Sequence, residues 1–281
     1  MESKNLYDEV SFKVSKVITQ SYSTSFSIAV SFLDNEMQKA IYSIYSFVRS
    51  ADEIVDTFLE HDKKTLLDKF EADYYDALKN GISLNLVLHS FQLTVQKYRI
   101  PDELIQSFLS SMRSDLVKST YSSKSEIDTY IYGSADVVGL MCLAVFTNGN
   151  SSMYDSLKKP AMKLGSAFQK VNFLRDLRND TESLERQYFP EMGGGEFNDK
   201  IKNEIITDIE RDFSSARTGI SALPENAKLA VLIAFYYYQR LVRKIKYTPA
   251  SKLMTTRISV SGTRKMVLLA KALIIDKLGM I

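Results

Sequence analysis

The sequence predicts an all-α fold, carried in one domain across residues 1–281. Three observations point there. Only five prolines and eleven glycines punctuate the chain; most long segments repeat apolar residues at helical spacing; and strand-like runs bounded by turn residues are scarce. Hydrophobic residues at 45% and charged residues at 25% are ordinary for a chain that buries a sizeable core, which argues against disorder. No long or low-complexity linker divides it.

The periodicity predicts helices near residues 4–20, 35–59, 63–79, 84–98, 102–118, 125–147, 153–181, 198–222, 225–246 and 256–277. The breaks between them carry turn chemistry: Asn80-Gly81, Ile100-Pro101-Asp102, Asn148-Gly149-Asn150, Pro190 and Leu223-Pro224. Gly193-Gly194-Gly195 follows a helix and lacks the Lys-Ser/Thr of a nucleotide-binding loop, so it reads as a flexible connector. In the run Tyr236-Tyr237-Tyr238, three neighbours on a helix point in three directions, so at most two can face one pocket.

The apolar stretches Val137–Phe146 and Met266–Ile275 are shorter than the ~20 residues a helix needs to span a bilayer. No basic amphipathic helix stands out. The polar start, Met1–Asn5, has no secretory h-region, and the expected location is cytoplasmic, with peripheral contact at the inner membrane surface left open.

A formal net charge of +2 gives no global field for nucleic acid, so no nucleic-acid partner is expected. Cys142, the single cysteine, sits in an apolar run and reads as a small buried hydrophobe. With His61 and His89 the only histidines, there is little material for a zinc site or a Cys/His nucleophile pair.

Two segments carry chemistry. On a helix turning about 100° per residue, Tyr45, Arg49, Asp52 and Asp56 fall within about 60° of one another, beside an apolar arc that includes Ile44, Phe47, Val48 and Ala51. The second is Leu164–Asp180, where Gln169, Asn172, Asp176 and Asp180 fall within about 80° on one face. Like charges at i and i+4 cost an isolated helix about 0.2–0.5 kcal/mol, so each aspartate pair needs something to offset it. One such pair alone reads as a solvated face. Two, on separate helices and beside amides or an arginine, suit magnesium, which shares one or two carboxylates with substrate phosphates and keeps several waters. A diphosphate held between the helices would then become a competent leaving group.

At these residues the chain resembles the head-to-head trans-prenyltransferases, the family of phytoene, dehydrosqualene and squalene synthases. The likeness spans most of the chain. It rests on Ser23-Thr24-Ser25-Phe26, on Arg49-x-x-Asp52-x-x-x-Asp56, on Tyr132 through Gly139, on Gly165-x-Ala-x-Gln169-x-x-Asn172-x-Leu-Arg175-Asp176-x-x-x-Asp180, and on Arg186-Gln187-Tyr188-Phe189-Pro190. The resemblance implies an isoprenoid-synthase-type helical bundle around a central apolar cavity. It implies magnesium, with manganese as a substitute, held by Asp52, Asp56, Asn172, Asp176 and Asp180. Ser25, Phe26, Arg49, Gln169, Arg175, Arg257 and Arg264 would contact substrate. Tyr45, Tyr132, Tyr188 and Tyr238 would line the cavity, where an aromatic face stabilises a passing cation by roughly 0.5–2 kcal/mol. On an ideal helix Arg175 points about 100° from Asp176, so its role rests on the resemblance alone.

Glu53 stands where many relatives carry a second aspartate, and Tyr22 where some carry histidine. Asp136 replaces a glycine frequent in dehydrosqualene synthases, which favours the phytoene side. The function so implied is condensation of two geranylgeranyl diphosphates to phytoene through a cyclopropylcarbinyl diphosphate. The alternatives are dehydrosqualene or squalene from two farnesyl diphosphates, with NADPH required only for squalene, and a non-catalytic scaffold that kept the fold. The sequence sets no oligomeric state.

Overall fold

A computed structural model describes residues 2–193 and 195–278. Gly194 of the expected connector therefore lies outside the described residues, as do Met1 and positions 279–281. Among the described residues thirteen α-helices run in order: α1 Glu2–Tyr22, α2 Thr24–Val30, α3 Asn35–Asp56, α4 Lys63–Asn80, α5 Leu86–Tyr98, α6 Asp102–Ser114, α7 Lys124–Ile131, α8 Val137–Thr147, α9 Ser151–Glu182, α10 Asp199–Ser221, α11 Glu225–Lys246, α12 Ala250–Leu253 and α13 Gly262–Lys277. Among the described residues the one β-type pairing is an isolated bridge between Thr120 and Gln187.

The helix ends are set by residues legible in the sequence. Asp34 caps α3 by accepting from the Met37 N–H at 2.8 Å, and Asn150 caps α9 by accepting from that of Met153 at 3.0 Å. Gly81, at φ +70°, closes α4 in the left-handed conformation that glycine adopts without strain.

Two differences from the periodicity matter for the site. The expected helix over 125–147 is interrupted by a π-helical turn, Tyr132–Asp136. Close packing accompanies it: a Cβ on Gly133 would lie 2.6 Å from the Ser107 carbonyl oxygen, and one on Gly165 would lie 2.8 Å from that of Ala135. The extra residue shifts the helical register across the turn. The expected helix over 256–277 begins only at Gly262; residues 257–260 have no regular secondary structure and alternate in exposure, with Ile258 and Val260 buried and Arg257 and Ser259 exposed.

The core forms two clusters. In the first, Phe47 of α3 is fully buried and stacks on Phe91 of α5 with ring centroids 3.9 Å apart, with Phe70, Tyr74 and Phe108 around them. The second gathers Val171, Phe173 and Leu174 of α9, Ile206 and Ile209 of α10, and Phe235 and Leu241 of α11. His89 packs in the first half as a structural residue: its Nδ1 accepts from the Ser83 N–H at 3.3 Å, which leaves Nε2–H to donate to Asp8 at 2.7 Å.

Lys124–Thr147 forms one helical rod of 24 residues, long and apolar enough to cross a membrane by length and composition. The apolar stretch Val137–Phe146, too short to span a bilayer by itself, is only part of this rod. In the fold, 61% of the rod's apolar window is buried in the protein, so packing into the bundle accounts for its apolarity.

Asp136, at the end of the π turn, is buried and accepts from the Ser166 hydroxyl at 2.7 Å. Burial raises its carboxyl from 3.8 to about 7. The native state thus holds a proton that the unfolded chain has released between those two values, and stability falls as pH rises through that window. Asp136→Asn keeps an acceptor for Ser166 and has no charge to bury. Thermal melts should show the variant several degrees more stable than the parent at pH 8 and close to it at pH 4. Equal differences at both pH values would contradict this account.

Candidate functional site

A cavity of ≈ 710 Å³ lies between the two core clusters. Its apolar walls come from both, with Ile41, Ile44 and Leu143 on one side and Phe173 and Ile220 on the other. Cys142 contributes to this wall as an apolar group, its thiol pushed up to about 12 by burial.

The polar end is built from α3 and α9. On α3, Phe47 turns into the core while Tyr45, Arg49, Asp52 and Asp56 face the cavity. On α9, Gln169, Asn172, Arg175, Asp176 and Asp180 face it, and Val171, Leu174 and Leu177 are buried on other sides. The two aspartate pairs, separated by more than 100 positions in sequence, therefore line one chamber. They sense each other: Asp52 is raised to about 7 by burial and by repulsion from Asp56, and Asp180 to about 7 by burial and by Asp176, with Asp56 adding to it.

Arginines offset this crowding. The Arg175 side chain folds back along α9 so that its Nε donates to both Asp176 oxygens at 3.1 Å. Ideal helix angles placed the two residues apart; the long side chain closes the gap. Arg257, on the irregular segment before α13, donates from Nε to Asp176 Oδ1 at 2.6 Å. Burial alone would raise Asp176, yet these two guanidiniums hold its carboxyl below the usual carboxylate range. Arg49 pairs with Glu53 and lies over the Tyr22 ring, 4.4 Å from its centroid. Glu53 is thus engaged along α3, and the Tyr22 ring covers the same arginine.

Three contributors were missed in the sequence. Arg186, with its side chain 5% exposed, donates to Asp56 Oδ1 at 2.7 Å, to the Tyr188 hydroxyl at 3.2 Å and to the Asp115 carbonyl at 3.3 Å. The bridge places it there: the Tyr121 N–H donates to the Gln187 carbonyl at 3.2 Å, and the Gln187 N–H to that of Ser119 at 2.7 Å. Asp115, just beyond α6, lines the cavity as a fifth carboxylate and is raised to about 7 by burial. Tyr130 donates its hydroxyl to Asp115 Oδ2 at 2.7 Å and also lines the cavity. The motif Arg186-x-Tyr188 flagged the segment without assigning the arginine, and nothing local in sequence marks Asp115.

The aromatic residues divide. Tyr45 stacks on Phe26 at 5.1 Å, Tyr188 on Phe173 at 3.9 Å and Tyr238 on Phe168 at 3.9 Å, and each lines the cavity. Tyr238 also donates to Asn172 Oδ1 at 3.1 Å. Tyr237 joins it on the lining while Tyr236 faces elsewhere, as three successive helical positions require.

Ser25 and Phe26 of α2 line the same chamber. Two expected residues do not. Tyr132 is half-buried against the first core cluster and absent from the lining, because it opens the π turn that carries the chain out of register, and Tyr130 takes the cavity position. Arg264, on the first turn of α13, lines a separate outer pocket, while its neighbour Lys265 points into the chamber. Among the described residues no three carboxylate, imidazole or thiol groups close on one point, since arginines stand between the aspartates.

Comparison with known proteins agrees with this arrangement. A model of the squalene/phytoene synthase family matches residues 19–193. The chain is 28% identical to a chloroplastic phytoene synthase of an Oncidium hybrid, over 89% of the chain and 64% of that protein. It is 26% identical to phytoene synthase 2 of Solanum lycopersicum, over 88% of the chain and 85% of that protein. The chain thus spans less than two thirds of the Oncidium protein's length. In fold it is similar to a dehydrosqualene synthase crystallised with a ligand, at TM-score 0.83 and 22% identity, over 96% of this chain and 98% of that one. A squalene synthase of Alicyclobacillus acidocaldarius shares the fold at TM-score 0.70 and 20% identity, over 98% of this chain and 96% of that one. Because the matched region covers more than half of the sequence and contains both carboxylate helices, the chain belongs to the squalene/phytoene synthase family.

Proposed function

We propose that this chain condenses two prenyl diphosphates head to head, with geranylgeranyl diphosphate as substrate and phytoene as product. The observation that carries the reading is the convergence of both aspartate pairs at one end of an otherwise apolar chamber, interleaved with arginines. The donor set suits magnesium or manganese. The oxygens of Asp52, Asp56, Asp176 and Asp180, with Asn172, are hard ligands, and such ions need only one or two carboxylates each when substrate phosphates supply the rest. The absence of a closed protein cage fits that habit. When bound, the ion supplies charge neutralisation that makes pyrophosphate a leaving group.

The chain's own residues do the remainder. Arg49, Arg175, Arg186 and Arg257 offer charge-assisted hydrogen bonds to diphosphate oxygens, and exchange their present carboxylate partners to do so. The apolar walls hold both isoprenoid tails and exclude water, which would otherwise quench an allylic cation to an alcohol. The faces of Tyr45, Tyr188 and Tyr238 stabilise that cation as the double bond of the second substrate attacks it. Loss of a proton yields the cyclopropylcarbinyl diphosphate, and departure of its pyrophosphate, rearrangement and loss of a second proton complete the hydrocarbon. The phytoene reading draws support from the relatives named phytoene synthases.

Asp52→Ala or Asp176→Ala should lower pyrophosphate release at least 100-fold, as should removal of divalent ions with chelator. Chromatography with each chain length, with and without NADPH, should yield a C40 hydrocarbon from geranylgeranyl diphosphate without reductant. Undiminished turnover in either variant would overturn the site. A C30 product alone would transfer the reading to farnesyl diphosphate.

Arg186→Lys keeps a charge but cannot reach Asp56, Tyr188 and the Asp115 carbonyl together, so turnover should fall roughly tenfold or more. Arg186→Ala strands buried carboxylates and should also lower the melting temperature markedly. Parental kinetics for Arg186→Lys would show that the fork geometry is not used.

A further inference from the structure

We infer that the outer face of α13 is a docking surface for an anionic phospholipid bilayer. One side of this helix packs on the protein through buried Ala272 and partly buried Leu268, Leu269 and Ile275. Among the described residues nothing covers the other side. Met266, Val267, Ile274 and Leu278 are 59%, 55%, 58% and 63% exposed. At about 100° per residue these four fall within an arc of roughly 120°, together with Ala270 and Lys277. A helix on a protein surface ordinarily turns charged and polar residues outward, and a contiguous apolar stripe with a polar rim marks an interaction surface.

The rim names the occupant. A second pocket, of ≈ 270 Å³, lies in the groove between α11 and α13. Its lining includes Arg240, Arg243, Arg264 and Lys271 and no carboxylate. Among the described residues none of these four makes an ion pair or a side-chain hydrogen bond; Lys271 rests over the Tyr236 ring, 4.4 Å from its centroid. Val267 belongs both to the pocket and to the apolar stripe, so the cations and the aliphatic groups form one continuous surface. Asp276, the single acid on α13, lies on the opposite side by the same angular count.

Guanidinium forks matched to phosphodiester oxygens, beside aliphatic side chains able to enter the acyl boundary, are the two elements of interfacial binding. A free phosphate would use the cations and leave the stripe exposed. The bilayer uses both. The surface also adjoins the chamber: Arg264 faces outward while the next residue, Lys265, lines the cavity, its Nζ 3.1 Å from Thr24 Oγ1. A docked α13 would set the mouth against lipid, where prenyl tails dissolve; this last consequence rests on the function proposed above, whereas the docking does not.

Flotation of the full chain with vesicles tests it. Binding should be about tenfold or more tighter to phosphatidylcholine vesicles containing phosphatidylglycerol than to phosphatidylcholine alone, and should weaken as salt is raised. The combined Arg240→Gln, Arg243→Gln, Lys271→Gln variant and, separately, Met266→Ser with Ile274→Ser should each lose most of that binding. Turnover of detergent-dispersed substrate should stay at the parental level, so failure here is distinguishable from failure of the proposed enzyme. Four outcomes would overturn the inference: no vesicle binding, equal binding to neutral vesicles, binding untouched by both variants, or a dimer dissolved by the Met266/Ile274 variant in a chain that ignores vesicles. Saturable binding of inorganic phosphate at the same cations, without any effect of the apolar variant on vesicles, would likewise reject the bilayer.

Discussion

Every feature of the polar end follows from one constraint: five carboxylates, Asp52, Asp56, Asp115, Asp176 and Asp180, share one partly dry space. Removing such groups from water and placing them near one another both disfavour their ionised form. Asp52, Asp115 and Asp180 accordingly sit near 7. Asp176 escapes because two arginines grip it. Arg186 donates to the Asp56 carboxylate from a third element. A structure with no use for this crowding would be more stable with apolar residues in these places. Under the proposed function, a polyvalent cation and a polyvalent anion arriving together would offset this cost.

Two of the four arginines stand on a different scaffold from the paired aspartates, while Arg49 and Arg175 share their helices. The paired aspartates belong to α3 and α9, long helices whose opposite sides are locked by Phe47, Val171 and Leu174. Arg186 and Arg257 belong to irregular segments, one pinned by the Thr120–Gln187 bridge and the other by the alternating burial of Ile258 and Val260. Rigid helices keep the carboxylate spacing fixed. Loop-borne arginines with long side chains can leave a carboxylate for a phosphate at small conformational cost, so they serve the site both when it is filled and when it is not.

Much of this was legible in the sequence, and for a local reason. Periodicity and caps are properties of neighbouring residues, so α3, α9, α10 and α11 fall close to their expected bounds. The same holds for the carboxylate stripes, whose i, i+4 spacing is fixed once the segment is a helix. What was not legible depends on contacts distant in sequence. Asp115 acquires its place only because Tyr130 and Arg186 reach it from other elements. The π turn at Tyr132–Asp136 goes with packing of Gly133 on the 107–111 turn and of Gly165 on Ala135, and it exchanges Tyr132 for Tyr130 at the cavity. The late start of α13 was a local signal read wrongly: Arg257-Ile258-Ser259-Val260 alternates as an extended segment does, and that start carries Arg264 to the outer pocket instead of the chamber.

The central claim is that both aspartate pairs grip divalent ions jointly with a diphosphate. Electron paramagnetic resonance of Mn²⁺ titrated into the protein, with and without a thio-diphosphate analogue of the substrate, tests it most directly. The account predicts tight ion binding that requires the analogue and is lost when either Asp52 and Asp56 or Asp176 and Asp180 become asparagine. Unaltered Mn²⁺ binding in both double variants would contradict it.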